Sequence, residues 1–464
     1  MATLARKLHT LDYFVLGFGT MVGVGWLVLM DDWLQRGGPL GVMIGFALGG
    51  LAILPIGYCY GRLVMAIPDA GSEIAYTARV FPAGVSFATG WMMMLAYLIV
   101  CPWEAVAIGQ LAAYLVPSLA TGELYRVGGV AVFGPQLALG LFLTVLITFL
   151  NYRGIQVSAI FQKWTTFGLL AIFFGLVAFG IPRGDLRNFS PGFSHGGWIS
   201  VLLVVQIVPY FLTGWESVPK CAEEASPEFR ARGFFTAIVA ALLVGIFFYV
   251  SVAAIVGYLA PWHSLAGQQM VTAVAFERAF GNHLVVDLII FAALLSLLKI
   301  FNGNFIAASR LLFALGRRGL IHPAFGKIHE RNQTPFLAVF ALGGVTAAAT
   351  LIGNAILVPI TEVGSLASAL GWLASCAAYE RLRPPARDRL IAAFGIAVAL
   401  TLAAMKLFPF VPGSFTRWEW LSLGVWAVAG ALLYRRSDQV FETPVFVAEP
   451  EHLISHEGHK GLTK

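Results

Sequence analysis

The stretch Gly17-Phe18-Gly19-Thr20-Met21-Val22-Gly23-Val24-Gly25-Trp26 decides how this chain is read. It lies inside the first long apolar run, yet it carries four glycines within nine residues. Each glycine costs roughly 1 kcal/mol against alanine in a helix interior. Two readings account for them. Small residues four apart, such as Gly19 and Gly23, let two membrane helices approach closely. Alternatively, the helix is broken here, which a bilayer tolerates only where the freed backbone lines a cavity or is buried in protein. Gly25 adds a third glycine within a turn, and Asp31-Asp32 and Gly37-Gly38-Pro39 follow soon after. The stretch alone supports either reading.

The setting is a membrane. Of 464 residues, 58% are hydrophobic and only 12% charged, against about 25% charged in soluble proteins. Apolar runs on the order of 20 residues, the length that spans a bilayer, recur along the chain. That leaves no room for a large soluble domain. The net charge of +6 is then the mark of one membrane face and not of nucleic-acid binding. Cys59, Cys101, Cys221 and Cys376 are scattered, with neither metal spacing nor a disulfide framework. Arg6 and Lys7 precede the first run, which continues as a span, so it is read as an anchor and not as a cleaved signal.

Twelve candidate spans follow: 12–35, 39–66, 84–117, 134–151, 156–182, 198–218, 233–260, 283–312, 335–353, 356–380, 388–407 and 417–434. The third and eighth exceed one crossing and should tilt or protrude. Basic residues concentrate at the N-terminus, in the even-numbered loops and after the last span, for example Arg62, Arg79, Arg153, Lys220, Arg317, Arg318, Arg381, Arg387 and Arg435. The other side holds only Arg36, Arg126, Arg183, Arg187, Arg278 and Arg417. This asymmetry places both termini in the cytoplasm. Five spans after the first, the sixth reads QIVPYFLTGWESVPK, with Pro209 and Gly214 interrupting it and Glu216 near membrane depth. Two interrupted helices at matched positions favour breakage over packing and point to two inverted five-helix repeats.

Several motifs then fall into order. Gly19-Thr20-Met21-Val22-Gly23-Val24-Gly25 resembles the first-helix pattern G-[ST]-x-[IV]-G-x-G of the amino acid–polyamine–organocation superfamily of secondary transporters. Pro68-Asp69-Ala70-Gly71 with Tyr76, Asn151-Tyr152-Arg153-Gly154, Phe211-Leu212-Thr213-Gly214-Trp215-Glu216 with Glu224 and Pro227, and Arg310-Leu311-Leu312-Phe313-Ala314 with Gly319 resemble that family's later motifs. The resemblance runs through most of the chain. It implies an all-α integral membrane protein with a LeuT-type 5+5 inverted repeat and 12 transmembrane helices. The expected division is a cytoplasmic N-terminus (1–11), a first repeat (12–182), a second inverted repeat (198–380), two additional helices (388–434) and a cytoplasmic tail (435–464).

The resemblance also implies a substrate site. Backbone N–H groups around Thr20, Met21, Val22, Gly23, Val24 and Gly25 would cap a carboxylate, and carbonyls between Phe211 and Gly214 would accept from an ammonium. Phe211 or Trp215 would cover the ligand. Glu216 matches a family position and is expected along the cytoplasmic pathway.

Two intramembrane charges stand out, because such residues are rare and costly. Lys299 lies mid-span on a face with Ser296, Gly303 and Ala307. The family's fifth-helix lysine position falls near Gly168 or Leu169 and holds no lysine; Lys163 lies more than a turn earlier, as an interfacial anchor. An ammonium at Lys299 could replace the sodium that many relatives bind there, which favours coupling to protons. A structural lysine paired with an acid is the alternative. Glu104, on a stripe with Tyr97, Cys101 and Ile108, could bind a cationic ligand, pair with Lys299, or sit as a solvated acid at a cavity wall. Glu362 is placed in an outer vestibule, and Asp31 and Asp32 at the outer end of the first span.

An enzyme is disfavoured. No H-E-x-x-H, G-x-S-x-G or Walker sequence occurs, and the nine histidines fall in loops, helix ends or the tail. His452, His456 and His459 share one possible helix face, but a disordered tail is the expectation there. The reading is therefore a multi-pass plasma-membrane permease, in the bacterial inner membrane, without cofactor or metal, importing an amino acid with protons. A carboxylate-free amine such as ethanolamine or a polyamine stays open, as does exchange.

Overall fold

A computed structural model describes residues 3–268, 270–353, 357–412 and 414–436, side chains excepted at 357–361. The histidines of the tail lie outside the described residues. Helix α1 (Thr10–Met21) opens with a capping box in which the His9 N–H donates to Asp12 at 2.9 Å. Asp12 in turn pairs with Lys163 at 2.7 Å. The helix stops at Met21. Val22 is extended (φ −93°, ψ 102°), and one turn, α2 (Gly25–Val28), resumes after Val24. The glycine stretch is thus a break. Helix α3 (Met30–Ala66) is two helices meeting at Gly38, whose φ of 64° and ψ of 169° end the first span. Pro39 then begins the second, in the first-turn position where its missing N–H costs nothing.

After the short α4 (Glu73–Thr77), the third span divides at Ile99 into α5 (Ala83–Leu98) and α6 (Val100–Leu115), next to Pro102, which has no N–H to give. A hairpin, β1 (Glu123–Val127) and β2 (Val130–Phe133), follows. Its turn residues Gly128 and Gly129 both have positive φ, as a tight two-residue turn requires. Then come α7 (Gly134–Arg153) and α8 (Ile155–Gly180). The sixth span is in three pieces, α9 (Gly197–Val205), α10 (Val208–Phe211) and α11 (Ser217–Lys220). The remainder is α12 (Arg232–Leu259), α13 (Val271–Phe280), α14 (Leu284–Arg317), α15 (Phe336–Thr350), α16 (Leu357–Arg381), α17 (Ala386–Leu407) and α18 (Arg417–Leu433). The hairpin and α13 are elements that the span pattern does not anticipate.

Eight helical runs among the described residues are long and apolar enough to cross a membrane: Thr10–Val28, Met30–Ala66, Ala83–Leu115, Gly134–Arg153, Ile155–Arg183, Arg232–Leu259, Leu284–Arg317 and Ala386–Leu407. Apart from one hairpin among the described residues, the protein is thus an all-α membrane protein. Packing is close because small residues seat large ones. A Cβ at Gly50 would lie 2.4 Å from Ile246, and one at Gly57 2.6 Å from Leu242, so α12 lies directly along α3. The chain reverses at each long helix, so Thr10, Ala66, Lys220, Arg232, Arg317 and Arg381 share one end of the bundle, the near end. Val28, Leu115, Leu259 and Leu284 lie at the far end.

Candidate functional site

The two breaks touch. Gly214 has φ +137°, and a Cβ on it would stand 2.5 Å from Met21 N and 2.6 Å from the Thr20 carbonyl carbon. Only glycine allows that backbone-to-backbone approach. The carbonyls freed at the first break are met by donors from α12 and α14. Lys299 Nζ donates to Val22 O and, at 3.4 Å, to Gly19 O. Ser296 Oγ lies 2.7 Å from Gly23 O and 3.1 Å from Val22 O. Asn304 Nδ2 donates to Thr20 O at 3.2 Å, and the Tyr249 hydroxyl to Met21 O at 3.2 Å. The freed carbonyls at membrane depth are thereby satisfied within the protein. Lys299 is fully buried, with its ammonium 5.5 Å from the centre of the Phe18 ring. No backbone carbonyl among the described residues accepts from the N–H groups of Gly23, Val24 or Gly25.

Beside this joint lies a cavity of about 30 Å³, lined from the first break by Thr20, Met21, Gly23, Val24 and Gly25. Glu104 and Trp103 of α6, Tyr210, Phe211 and Thr213 of the sixth span, Tyr249, Ile300, Asn304 and Ser368 complete most of its wall. Such a volume holds about one or two waters, so this is a closed form of the site. The glycines keep it from closing further. A Cβ at Gly23 would meet Ile300 at 2.6 Å, and one at Gly25 would meet Phe211 at 2.6 Å. Glu104 is 2% exposed and its Oε2 has no hydrogen-bond partner. It forms no ion pair with Lys299, whose ammonium is engaged by the first break instead. The Thr213 hydroxyl donates to Ser368 Oγ at 2.8 Å.

The two ends differ. At the far end a cavity of about 350 Å³ is lined by Asp32, Arg36, Glu362, Ser365 and Ile207 among others. It shares Leu29, Trp103, Tyr210 and Phe211 with the small central cavity, so these four side chains form the partition. The near end is sealed by polar contacts. Glu216 Oε2 accepts from the Gly214 N–H at 2.6 Å and from the Tyr97 hydroxyl at 3.3 Å, and Trp372 Nε1 donates to Oε1. Lys220, fully buried, bonds Glu73 at 2.7 Å and the Glu216 carbonyl at 3.0 Å. Arg310 pairs with Glu224 at 2.6 Å, and Arg318 and Arg317 pair with Asp69 at 2.6 and 3.2 Å. Burial works against the charge of Asp69, but the two guanidiniums outweigh it and hold the carboxyl below its ordinary range. The N-terminal segment lies across the same end. Leu8 bridges Ala225, and the N–H groups of Lys7 and Leu8 both donate to Glu224 O at 2.9 Å.

Of the residues singled out in the sequence, Thr20, Met21, Gly23, Val24, Gly25, Glu104 and Phe211 line the central cavity. Three do not. The Val22 carbonyl is turned to Lys299 and Ser296, and Gly214 is pressed against Met21. Trp215 is fully buried on the near side, stacked on Trp372 with centroids 6.1 Å apart and edge-on to Tyr60 at 5.0 Å. Of the two aromatics considered as a cover, Phe211 is the one at the cavity. Glu216, expected along the cytoplasmic pathway, is enclosed and braces the sixth-span break. Lys163, expected as an interfacial anchor, pairs with Asp12 at 2.7 Å. Trp103, Tyr210, Tyr249, Asn304 and Ser368 were missed. Asn304 could have been found as an amide inside an apolar helix; the aromatics look like ordinary core in a chain with 36 phenylalanines and 12 tryptophans.

Residues 8–432 match the family model described as amino acid permease. The chain is 27% identical to a methylthioribose transporter of Bacillus subtilis over 93% of both chains. It is 26% identical to a branched-chain amino acid permease of the same organism, over 78% of this chain and 77% of that one. It is 25% identical to cationic amino acid transporter 4 of Mus musculus, over 78% of this chain and 58% of that one. The protein belongs to the amino acid permease family and is a transporter, not an enzyme.

Proposed function

We infer that this member of the amino acid permease family imports an amino acid across the plasma membrane by alternating access, driven by protons. The reading takes the chain as twelve spans, with the repeats 12–182 and 198–380 inverted with respect to each other, two helices beyond them, and both termini cytoplasmic. The far-end cavity is then the outer vestibule. The observation that carries the reading is the joint itself. Two interrupted helices abut at Gly214 and Met21, beside a cavity with an unpartnered carboxylate oxygen on Glu104 and unpaired N–H groups at Gly23 to Gly25. A zwitterion is complementary to that pair of features: its carboxylate meets the N–H groups and its ammonium approaches Glu104.

Lys299 is the coupling group in this reading. Its ammonium ties α14 to the carbonyls of Val22 and Gly19, the work a bound cation would otherwise do. Loss of its proton removes the charge and weakens the tie, which frees the first break to move. The free oxygen of Glu104 also suits an amine without a carboxylate, and exchange needs the same joint. Uptake into proteoliposomes of a radiolabelled panel of amino acids and amines, with and without an inward proton gradient and with and without sodium, tests all of this. Accumulation of an amino acid driven by protons and indifferent to sodium is expected. Sodium-driven accumulation sinks the coupling, and uptake of amines alone sinks the substrate.

A further inference from the structure

The vestibule wall holds a charge pair that the transport reading does not use. Glu362 of α16 lines the cavity with its side chain 21% exposed. Its carboxylate pairs with Lys406, which comes from α17 and is 2% exposed. The other two charged residues lining the cavity, Asp32 and Arg36, pair with each other at 2.8 Å, their side chains 44% and 27% exposed. Every charge lining the vestibule is therefore cancelled, and for Glu362 the counter-charge comes from the next helix along. Lys406 lies in the last turn of α17, where a lysine ordinarily extends to the interface, yet it is buried against Glu362 instead. Stability alone does not call for the pair, because a buried ion pair is often no more stabilising than apolar side chains of the same volume. What the pair does change is the potential in a cleft with low-dielectric walls, where a single uncompensated charge concentrates ligands of opposite sign.

We propose that Lys406 is a specificity-determining residue: by neutralising Glu362 it keeps the vestibule uncharged and directs the transporter to ligands without net charge, discriminating against cationic amino acids and polyamines. The proposal rests on the far-end cavity being the route to the central site. It narrows the substrate class to zwitterionic or neutral molecules small enough to pass Leu29, Trp103, Tyr210 and Phe211.

The test reads the potential directly, without a substrate. Val28 lines the vestibule rim, and all four native cysteines are buried. In a Val28→Cys background, purified protein is reacted with a cationic trimethylammonium and an anionic sulfonate methanethiosulfonate, and the ratio of the two rates is taken. Lys406→Met should raise the cation-to-anion ratio on the order of tenfold, the low end of what a focused field produces. The rise should shrink with added salt. Glu362→Gln should move the ratio in the opposite direction, and Lys406→Met with Glu362→Gln should return it to the starting value. Lys406→Arg, which keeps the pair, should leave it unchanged. If Lys406→Met does not yield folded protein, Glu362→Gln alone still gives a signed answer. An unchanged ratio in either single variant, or a double variant that stays shifted, overturns the proposal. In proteoliposomes, Lys406→Met should let arginine compete several-fold better while uptake of neutral amino acids stays within twofold. If the unmodified protein carries no amino acid yet the ratios shift as stated, the proposed function fails and the vestibule assignment stands.

Discussion

Replacing Lys299 by methionine separates a coupling lysine from a structural one. The side chain keeps its length and loses its charge. Ser296 has one hydroxyl proton for Gly23 O at 2.7 Å and Val22 O at 3.1 Å, so Gly19 O and one of these two carbonyls lose their donor. Two buried unsatisfied acceptors cost about 2–6 kcal/mol. Against that, a lysine near the middle of a spanning helix is unfavourable by about 2.5–3.5 kcal/mol on insertion scales. The two ranges overlap, so Lys299→Met should melt within a few degrees of the unmodified protein in detergent. A structural ion-pair partner behaves differently, because its removal strands a buried charge at a cost of about 3–5 kcal/mol. Glu104 is not bonded to Lys299 and is not stranded in this way. Transport is the second readout. A gradient of about one pH unit is worth about 1.4 kcal/mol per proton, which supports about tenfold accumulation at one proton per ligand. The variant should equilibrate ligand across the liposome without concentrating it, and should still exchange internal for external ligand. Tenfold accumulation by Lys299→Met would refute the coupling role. A large loss of thermal stability would return Lys299 to the structural reading.

Three further outcomes follow from the geometry. Gly25→Ala places a methyl 2.6 Å from Phe211; uptake should fall more than about tenfold with normal expression, since overpacking costs about 1–3 kcal/mol, and Phe211→Leu should restore part of it. Trp215→Phe should leave ligand affinity within about twofold while Phe211→Leu changes it, because only Phe211 lines the cavity; equal effects in a binding assay would contradict the assignment. Because Arg318 and Arg317 hold the Asp69 carboxyl below its ordinary range despite its burial, the stability it lends is fully present above about pH 4 and is lost only as pH falls through the lowered value. Asp69→Asn should therefore change the height of the uptake–pH profile between about pH 5 and 8 and not its midpoint, and a shifted midpoint would place a working proton at the near end.

The breaks were legible because glycine and proline are where backbone leaves the helix, and both interruptions fall in the stretches that carry them: 22–24, and from Gln206 to Glu216 around Pro209 and Gly214. Lys299 and Glu104 were legible because a charge in an apolar span has few places to go, and both came to the joint or the cavity. What each touches was not. Spacing along α14 puts Ser296 and Lys299 on one face, but which carbonyls they meet depends on how far the first break unwinds. The pairing of Glu362 with Lys406 was invisible for a related reason: the two lie on different helices, 44 residues apart, and no periodicity links them. Trp215 was misplaced because an aromatic between Gly214 and Glu216 reads the same whether it covers a ligand or fills the space between Tyr60 and Trp372.

The two closures differ in kind, and that difference bears on how the cycle is driven. Four side chains without a charge among them divide the central cavity from the vestibule. The near end is held by Lys220 with Glu73, Arg310 with Glu224, and Glu216 clasped by Gly214, Tyr97 and Trp372, all buried. Opening the first would separate no charges. Opening the second separates charges that were already dehydrated, at a cost that water entering the gap must offset. A ligand can supply that difference only through its differential affinity for the two states, and a ligand in the central cavity would touch both broken helices. Between the tie at Lys299 and the brace at Glu216 there is only backbone, Val22 and Met21 against Gly214, with no soft side chain to absorb a movement. A change at Lys299 and a change in the cavity therefore press on one stiff joint. Disrupting that joint, as Gly214→Ala would by forcing Met21 and Thr20 away, should lower proton-driven accumulation in proteoliposomes more than the loss of any single ion pair at the near end, and equal losses would refute the stiff joint.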